Sequence, residues 1–294
     1  MTGSARSIRQ KVGDITLHMM VAGPESGPLV ILLHGFPEFW FGWRRQIDPL
    51  ARSGFRVIAL DQRGYNLSSK PPSVRDYALD ILARDVVGVA DAFARDSFCL
   101  VGHDWGGLVA WWVAVRHPSR VSRLAILNAP HPAVVGNYVR HHPLQVLRSA
   151  YTGFFQLPWI PEAMLQTGNY ALLRRALLDT SQPETFSEDE IERYMEAWSQ
   201  PGALTSMLNW YRAGIRFRPR ETQTTIAAET LILWGVNDPA LERGLAEESL
   251  RLCHHGRVQW FDNATHWVHL EEPDRINQAL VAFLGARTEA VERT

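Results

Sequence analysis

Cysteine is scarce, with two residues in a chain of 294. That excludes a disulfide-stapled scaffold. Cys99 falls in a short apolar strand pattern and Cys253 near the end of a helical stretch, so both read as free thiols of a reducing compartment. An excess of one charge is missing as well. The 30 Lys and Arg against 31 Asp and Glu leave a formal charge of −1. This gives no electrostatic reason to expect nucleic acid or an anionic membrane as partner. The longest apolar run, Leu108 to Val115, is about half of the roughly 20 residues a bilayer span needs. Met1 to Asp14 has no apolar leader core, so a cytoplasmic protein is expected. There is no Gly-rich phosphate loop, internal repeat or low-complexity tract. His141-His142 and His254-His255 are adjacent pairs without ligand spacing, and His266-x-x-His269 lacks a nearby cysteine or a third ligand. No metal and no other cofactor is expected.

What is present centres on Val101-Gly102-His103-Asp104-Trp105-Gly106-Gly107. The short apolar run Phe98-Cys99-Leu100 precedes it, and a longer run rich in Ala, Val and Trp follows, ending at Arg116-His117-Pro118. Strand, Gly-x-nucleophile-x-Gly, helix is a nucleophile elbow. The turn is sharp, its central residue is held in a strained conformation, and a Cβ at Gly102 or Gly106 would strike a neighbouring element. The central residue is Asp104.

Around the elbow the chain alternates strands and helices. Ile15 to Val21 alternates and predicts an edge strand. Pro28 to Leu33 is continuously apolar and predicts a central parallel strand. Trp43 to Ser53 predicts a helix, Arg56 to Leu60 a strand, Ala78 to Arg95 a long amphipathic helix and Leu124 to Leu127 a strand. From about Val134 to Arg220 no buried strand is evident; helices are predicted over Pro161 to Gln166, Tyr170 to Leu178, Glu188 to Ser199 and Ala203 to Ala213. The rhythm resumes with strands Thr230 to Trp234 and Arg257 to Phe261 and a closing helix, Glu271 to Leu284. The expected class is α/β, a mostly parallel sheet covered on both faces. A helical cap over 134–216 is expected to interrupt a core formed by 1–133 and 217–294.

Three polar residues follow three different strands: Asp104, Asp238 and His266. Ligands bind at that edge of an open parallel sheet. Nucleophile, acid, histidine is the chain order of α/β-hydrolases. Plainer roles exist for each. Asp104 could cap a helix, Asn237-Asp238-Pro239 could be an ordinary turn, and His266 is one of 11 histidines. Position and order together favour a triad. His34-Gly35-Phe36-Pro37 ends another strand. In this fold the backbone N–H groups of Phe36 and Trp105 would form the oxyanion hole, with Pro37 fixing the loop, through a cis or a trans bond.

Aspartate at the elbow restricts the chemistry. A carboxylate attacking an ester would give a reactive anhydride; displacing a leaving group at saturated carbon gives a stable alkyl ester. Water activated by His266, oriented by Asp238, can then hydrolyse that ester. With an ordinary pKa of about 3.9, aspartate needs no base to activate it. Epoxide opening and dehalogenation both fit.

His34-Gly35-Phe36-Pro37-Glu38-x-Trp40-x-x-Trp43-Arg44-x-Gln46-Ile47, then Asp61-x-x-Gly64-Tyr65, then Gly102-His103-Asp104-Trp105-Gly106-Gly107 resemble the soluble-type epoxide hydrolases of the α/β-hydrolase fold. The likeness runs through nearly the whole first half of the chain and more weakly through the acid turn and histidine loop. It implies two cap tyrosines that hydrogen-bond the epoxide oxygen and help it leave. Tyr151-Thr152-Gly153-Phe154-Phe155-Gln156 and Asn209-Trp210-Tyr211-Arg212 match the family motifs, which points to Tyr151 and Tyr211 rather than Tyr138, Tyr170 or Tyr194. A phenol of ordinary pKa about 10 stays protonated at neutral pH. Asn66 stands where the family has glycine, and asparagine tolerates positive φ better than most residues. The implied partners are a small apolar epoxide and water, contacted by Phe36, Pro37, Trp105, Tyr151 and Tyr211. Haloalkane dehalogenases share the Asp-Trp pair and triad order, but usually have asparagine at the position of Phe36. Fluoroacetate dehalogenases carry arginines at the positions of Trp105 and Leu108. A non-catalytic binding protein on this fold would be expected to lack a triad member.

Overall fold

A computed structural model describes residues 5–218 and 224–285. Eight strands form one sheet: β1 (Arg6–Val12), β2 (Ile15–Ala22), β3 (Leu29–Leu33), β4 (Arg56–Leu60), β5 (Phe98–His103), β6 (Val121–Leu127), β7 (Glu229–Gly235) and β8 (Gly256–Phe261), in the order β1-β2-β4-β3-β5-β6-β7-β8. β1 with β2 and β2 with β4 are antiparallel; every other pairing is parallel.

All residues of β3, β4 and β5 are buried, as a strand covered on both faces requires. Their side chains alternate between two cores. Ile31, Leu33, Ile58, Leu60 and Leu100 pack on one face with helices α2 (Leu79–Ala92) and α3 (Trp105–Arg116). Val30, Leu32, Val57, Ala59 and Val101 pack on the other with α1 (Ile47–Arg52) and the C-terminal helix.

Between β6 and β7 the described chain is helical: α4 (Pro132–His141), α5 (Pro143–Arg148), α6 (Ala150–Phe154), α7 (Ile160–Leu178), α8 (Glu188–Trp198) and α9 (Ala203–Arg216). These helices, called the cap below, meet the loops that follow β3 and β4. Trp198 Nε1 donates to the Pro37 carbonyl at 2.6 Å, and Trp210 Nε1 to that of Arg63 at 3.0 Å. After β7 come α10 (Gly244–Leu250), then β8, α11 (Val268–Glu271) and α12 (Pro273–Gly285).

Three expectations need correction. Ile15 to Val21 is not at the edge, because β1 lies outside it. β1 escapes a hydrophobicity reading because only Val12 is buried; its other side chains are exposed or half-exposed, as an outermost strand permits. The helix expected over Trp43 to Ser53 is confined to Ile47–Arg52, with a 3₁₀ turn over Trp40–Trp43 before it. The closing helix is two, divided at Glu272 before Pro273, since the residue before a proline disfavours helical backbone. Conversely, α7 contains the interruption expected between Gln166 and Tyr170: residues Thr167 to Tyr170 have non-helical backbone angles.

Candidate active site

The elbow closes between β5 and α3. Asp104 has φ 49° and ψ −121°, a conformation L-residues rarely adopt and one that persists only where the surroundings impose it. The surroundings here are steric. A Cβ on Gly102 would come within 2.4 Å of the Gly106 carbonyl oxygen, and one on Gly106 within 2.2 Å of the Leu33 carbonyl oxygen. The two glycines let the helix start close against β3, which lifts the Asp104 side chain to the sheet edge.

The carboxylate has two differently occupied oxygens. Oδ1 accepts from the Phe36 backbone N–H at 2.8 Å. Oδ2 faces His266 Nε2 at 3.6 Å, beyond a good hydrogen bond. The Trp105 amide opens α3, a position with no partner inside the helix. The Phe36–Pro37 bond is cis.

Behind the histidine stands Asp238, which is 2% exposed. His266 Nδ1 lies 2.7 Å from Asp238 Oδ2. The same oxygen accepts from Asn128 Nδ2 at 2.8 Å, while Oδ1 accepts from the backbone N–H groups of Ala240 and Leu241 at 2.8 and 2.9 Å. Burial alone would raise the Asp238 pKa, but the His266 charge and these hydrogen bonds hold it below the usual carboxylate range. For His266 the competition runs the other way. Burial disfavours the imidazolium, yet Asp238, reinforced by Asp104 and Glu38, raises it to about 9.

Above the carboxylate the cap contributes an aromatic wall. The Tyr211 ring packs edge-on against Phe36, Trp105, Phe155 and Tyr151, with centroids 5.0 to 5.9 Å apart, the geometry ring quadrupoles favour. Tyr211 is buried. Tyr151 is 41% exposed over its whole side chain, but its phenol tip is enclosed and has Tyr211 as a hydrogen-bonding neighbour. Burial and the nearby Asp104 charge push both phenols above their ordinary pKa, so both remain proton donors. Pro37 is buried, and its carbonyl is the acceptor for Trp198. Asn66 has φ 41° and donates to Asp61 Oδ2 at 2.7 Å, so asparagine does fill a positive-φ position in that turn.

Asp104, Asp238, His266, Phe36, Trp105, Tyr151 and Tyr211 are thus brought to one place. The rival tyrosines are engaged elsewhere. Tyr138 stacks on His142, Tyr170 sits in the α7 interruption near Trp198, and Tyr194 donates to Glu38 Oε1 at 3.1 Å.

Four neighbours escaped the sequence reading. Asn128, at the end of β6, spans the gap between Gly235 and Asp238. Phe155 is part of the aromatic wall. His103 and Glu38 lie directly under His266. His103 Nε2 donates to the His266 carbonyl at 2.9 Å, and Nδ1 lies 3.1 Å from Glu38 Oε2. Both ring nitrogens of His103 therefore face oxygen atoms. Position after a strand end would have flagged Asn128; the others required knowing which loops meet. Glu38, His103 and His269 are also the described residues with the donor types and proximity to hold a metal ion. Glu38 is engaged by Tyr194 and His103, and His103 by the His266 carbonyl, whereas neither ring nitrogen of buried His269 has a hydrogen-bond partner.

Comparison with known proteins identifies the family. A family model described as alpha/beta hydrolase fold matches residues 28–273. The AB hydrolase superfamily protein YfhM of Bacillus subtilis is 45% identical, with 92% of this chain and 94% of that protein covered. Human epoxide hydrolase 4 is 36% identical over 96% of this chain and 79% of its own length. The crystal structure of Bacillus megaterium epoxide hydrolase in complex with an inhibitor superposes with a TM-score of 0.87 at 30% identity, covering 95% of this chain and 100% of that one. The chain belongs to the α/β-hydrolase-fold epoxide hydrolases.

Proposed function

We propose that this protein converts an epoxide to a vicinal diol through an ester on Asp104. The observation that carries the reading is the pair of cap phenols, held protonated, over a carboxylate whose two oxygens have different environments. Asp104 Oδ2 attacks a ring carbon as the C–O bond breaks. Tyr151 or Tyr211 gives its proton to the departing oxygen, leaving a tyrosinate. Oδ1 remains on the Phe36 N–H as the ester carbonyl oxygen. Esterification removes the Asp104 charge, one of those holding the proton on His266, so the imidazolium becomes a stronger acid. The imidazolium gives up its proton and the tyrosinate takes one up, which restores the phenol and leaves His266 neutral. Neutral His266 then takes a proton from water as the water adds to the ester carbon. The oxyanion forms on Oδ1 beside the Phe36 and Trp105 amides. Collapse expels the diol oxygen, which takes the proton from His266 and leaves Asp104 as a carboxylic acid; that acid's proton, the second from water, then passes to neutral His266 and restores both the carboxylate and the imidazolium.

The cap is taken as 134–216 and the core as 1–133 with 217–294. Among the described residues no helix is long and apolar enough to cross a membrane. The two free cysteines support a reducing, cytoplasmic setting.

The test is His266→Gln. An adduct on Asp104 equal in mass to the added epoxide should accumulate, because ester formation survives and hydrolysis does not. No adduct with any epoxide or alkyl halide would sink the covalent route. A parallel assay of the native enzyme on styrene oxide and a bromoalkane should give diol from the first; bromide release without diol would move the protein to the dehalogenases.

A further inference from the structure

α5 is an odd helix. Leu144 and Leu147 are 53% and 72% exposed, so apolar burial does not hold it. Its one buried side chain is polar: Gln145, 1% exposed. Gln145 Nε2 donates to the Ala240 carbonyl at 2.8 Å and to Ser149 Oγ at 3.0 Å, and Oε1 accepts from the Glu242 N–H at 2.9 Å. Two weaker links run beside it. Arg148 Nη1 donates to the Asp238 carbonyl at 3.2 Å, and His142 Nδ1 is 3.8 Å from Glu242.

Residues 238–242 are the turn whose own N–H groups, at Ala240 and Leu241, hold Asp238 Oδ1. Gln145 therefore grips from outside the same turn that orients the acid from inside. On its other side α5 runs through Ser149 directly into α6, which carries Tyr151. A buried amide that loses its partners is costly, so these bonds are kept wherever the cap sits on the core.

We propose that Gln145 is a positioning residue that ties the Asp238 turn to the Tyr151 helix, keeping the ring-opening phenol and the ester-hydrolysing dyad in register. The inference rests on the roles proposed above for Tyr151, Asp238 and His266. It makes the two half-reactions structurally dependent on one side chain that touches no substrate.

The experiment compares Gln145→Met, Gln145→Glu and, on the same helix, Leu147→Ala. Rapid mixing with styrene oxide separates Asp104 ester formation from its hydrolysis, and proton NMR of the free enzyme follows the downfield proton of the His266–Asp238 hydrogen bond. Gln145→Met should slow ester hydrolysis by about tenfold or more, as small misplacements of reacting groups do, and should shift the His266 proton and the pH midpoint of hydrolysis. Gln145→Glu keeps the bond from Glu242 and should move each readout the same way by less. Leu147→Ala should move none. In a Tyr151→Phe background the penalty of Gln145→Met on ester formation should vanish while its penalty on hydrolysis stays. An unshifted His266 proton with unchanged hydrolysis would overturn the proposal. So would a loss of the same size from Leu147→Ala, or a penalty on ester formation undiminished without the Tyr151 hydroxyl. If the native enzyme forms no ester, the reaction as read here fails, yet the His266 proton in the free Gln145 variants still decides whether Gln145 positions the dyad.

Discussion

The sheet and the cap are held together by different physics. The central strands are buried on both faces and meet their covering helices through aliphatic side chains. That attraction scales with area and has little directional preference. The cap shares the apolar cluster on one face of the sheet, and is also joined to the core by polar side-chain tips, among them those of four aromatic rings: Trp198 to Pro37, Trp210 to Arg63, Tyr194 to Glu38, and Tyr77 on the core side to Ser206 at 2.9 Å. A hydrogen bond weakens steeply with distance and angle, so a contact of this kind fixes a position where an apolar contact would allow sliding. The core makes the protein stable, and the cap is aimed. Three of these four ring anchors end on the loops after β3 and β4, two of them at Pro37 and Glu38, next to Phe36. The proton donors sit on the aimed part and the nucleophile on the rigid part.

The sharpest way to break this contrast is to remove only what the cap supplies chemically. Changing both Tyr151 and Tyr211 to Phe should lower the rate of epoxide opening by about a thousandfold, within the range for loss of general acid assistance. The fold should melt nearly unchanged, since the rings stay. Pre-steady-state burst amplitudes and a thermal melt measure the two effects. Full activity in the double variant would mean that the proton comes from elsewhere.

A smaller effect belongs to the core. His266 is raised from 6.5 to about 9 by its carboxylate neighbours. A group whose folded pKa is raised binds its proton more tightly when folded, so its contribution to stability is complete below about 6.5 and is lost as pH rises toward 9. The melting temperature of the native protein should therefore fall across that window by more than that of His266→Gln. Parallel pH curves for the two proteins would show that the buried imidazolium is not held by Asp238 and Asp104 as described.

The same contrast governs what could be read from the chain. Runs such as Leu29–Leu33 and Arg56–Leu60 announce themselves, because burial on both faces demands apolar residues at every position. The elbow is legible for a related reason. Only glycine satisfies the clearances at Gly102 and Gly106, so the sterics are written as residue types. β1 was missed because an edge strand needs little burial. α5 and α6 escape a periodicity reading because they are only six and five residues long and expose Leu144, Val146, Leu147 and Tyr151. Asp104, Asp238 and His266 could be nominated because each ends a strand. Their distances, and the presence of Asn128, Glu38 and His103 around them, depend on which loops meet. Nothing local in the sequence carries that. Phe155 stood inside a recognised motif, yet its place in the aromatic wall follows from the α6–α9 packing.

The most modest expected effect tests whether the cap is aimed as claimed. Trp198 is 2% exposed, and its Nε1–H reaches the carbonyl of Pro37, next to Phe36. Trp198→Phe keeps an aromatic ring, removes the donor and leaves the Pro37 carbonyl short of a partner. The cost should be about 1–3 kcal/mol, a fall in melting temperature of a few degrees, roughly 2–4 °C per kcal/mol for a large domain. If the bond only stabilises, KM and the rate of ring opening should not change. If it aims the cap, a loss of about the same size should appear in ring opening, because the Phe36 loop and the Tyr211 wall no longer share a fixed reference, while hydrolysis of the Asp104 ester should be nearly untouched. A variant that melts lower but opens epoxides at the native rate would reduce the cap contacts to glue and end the distinction between the two regions.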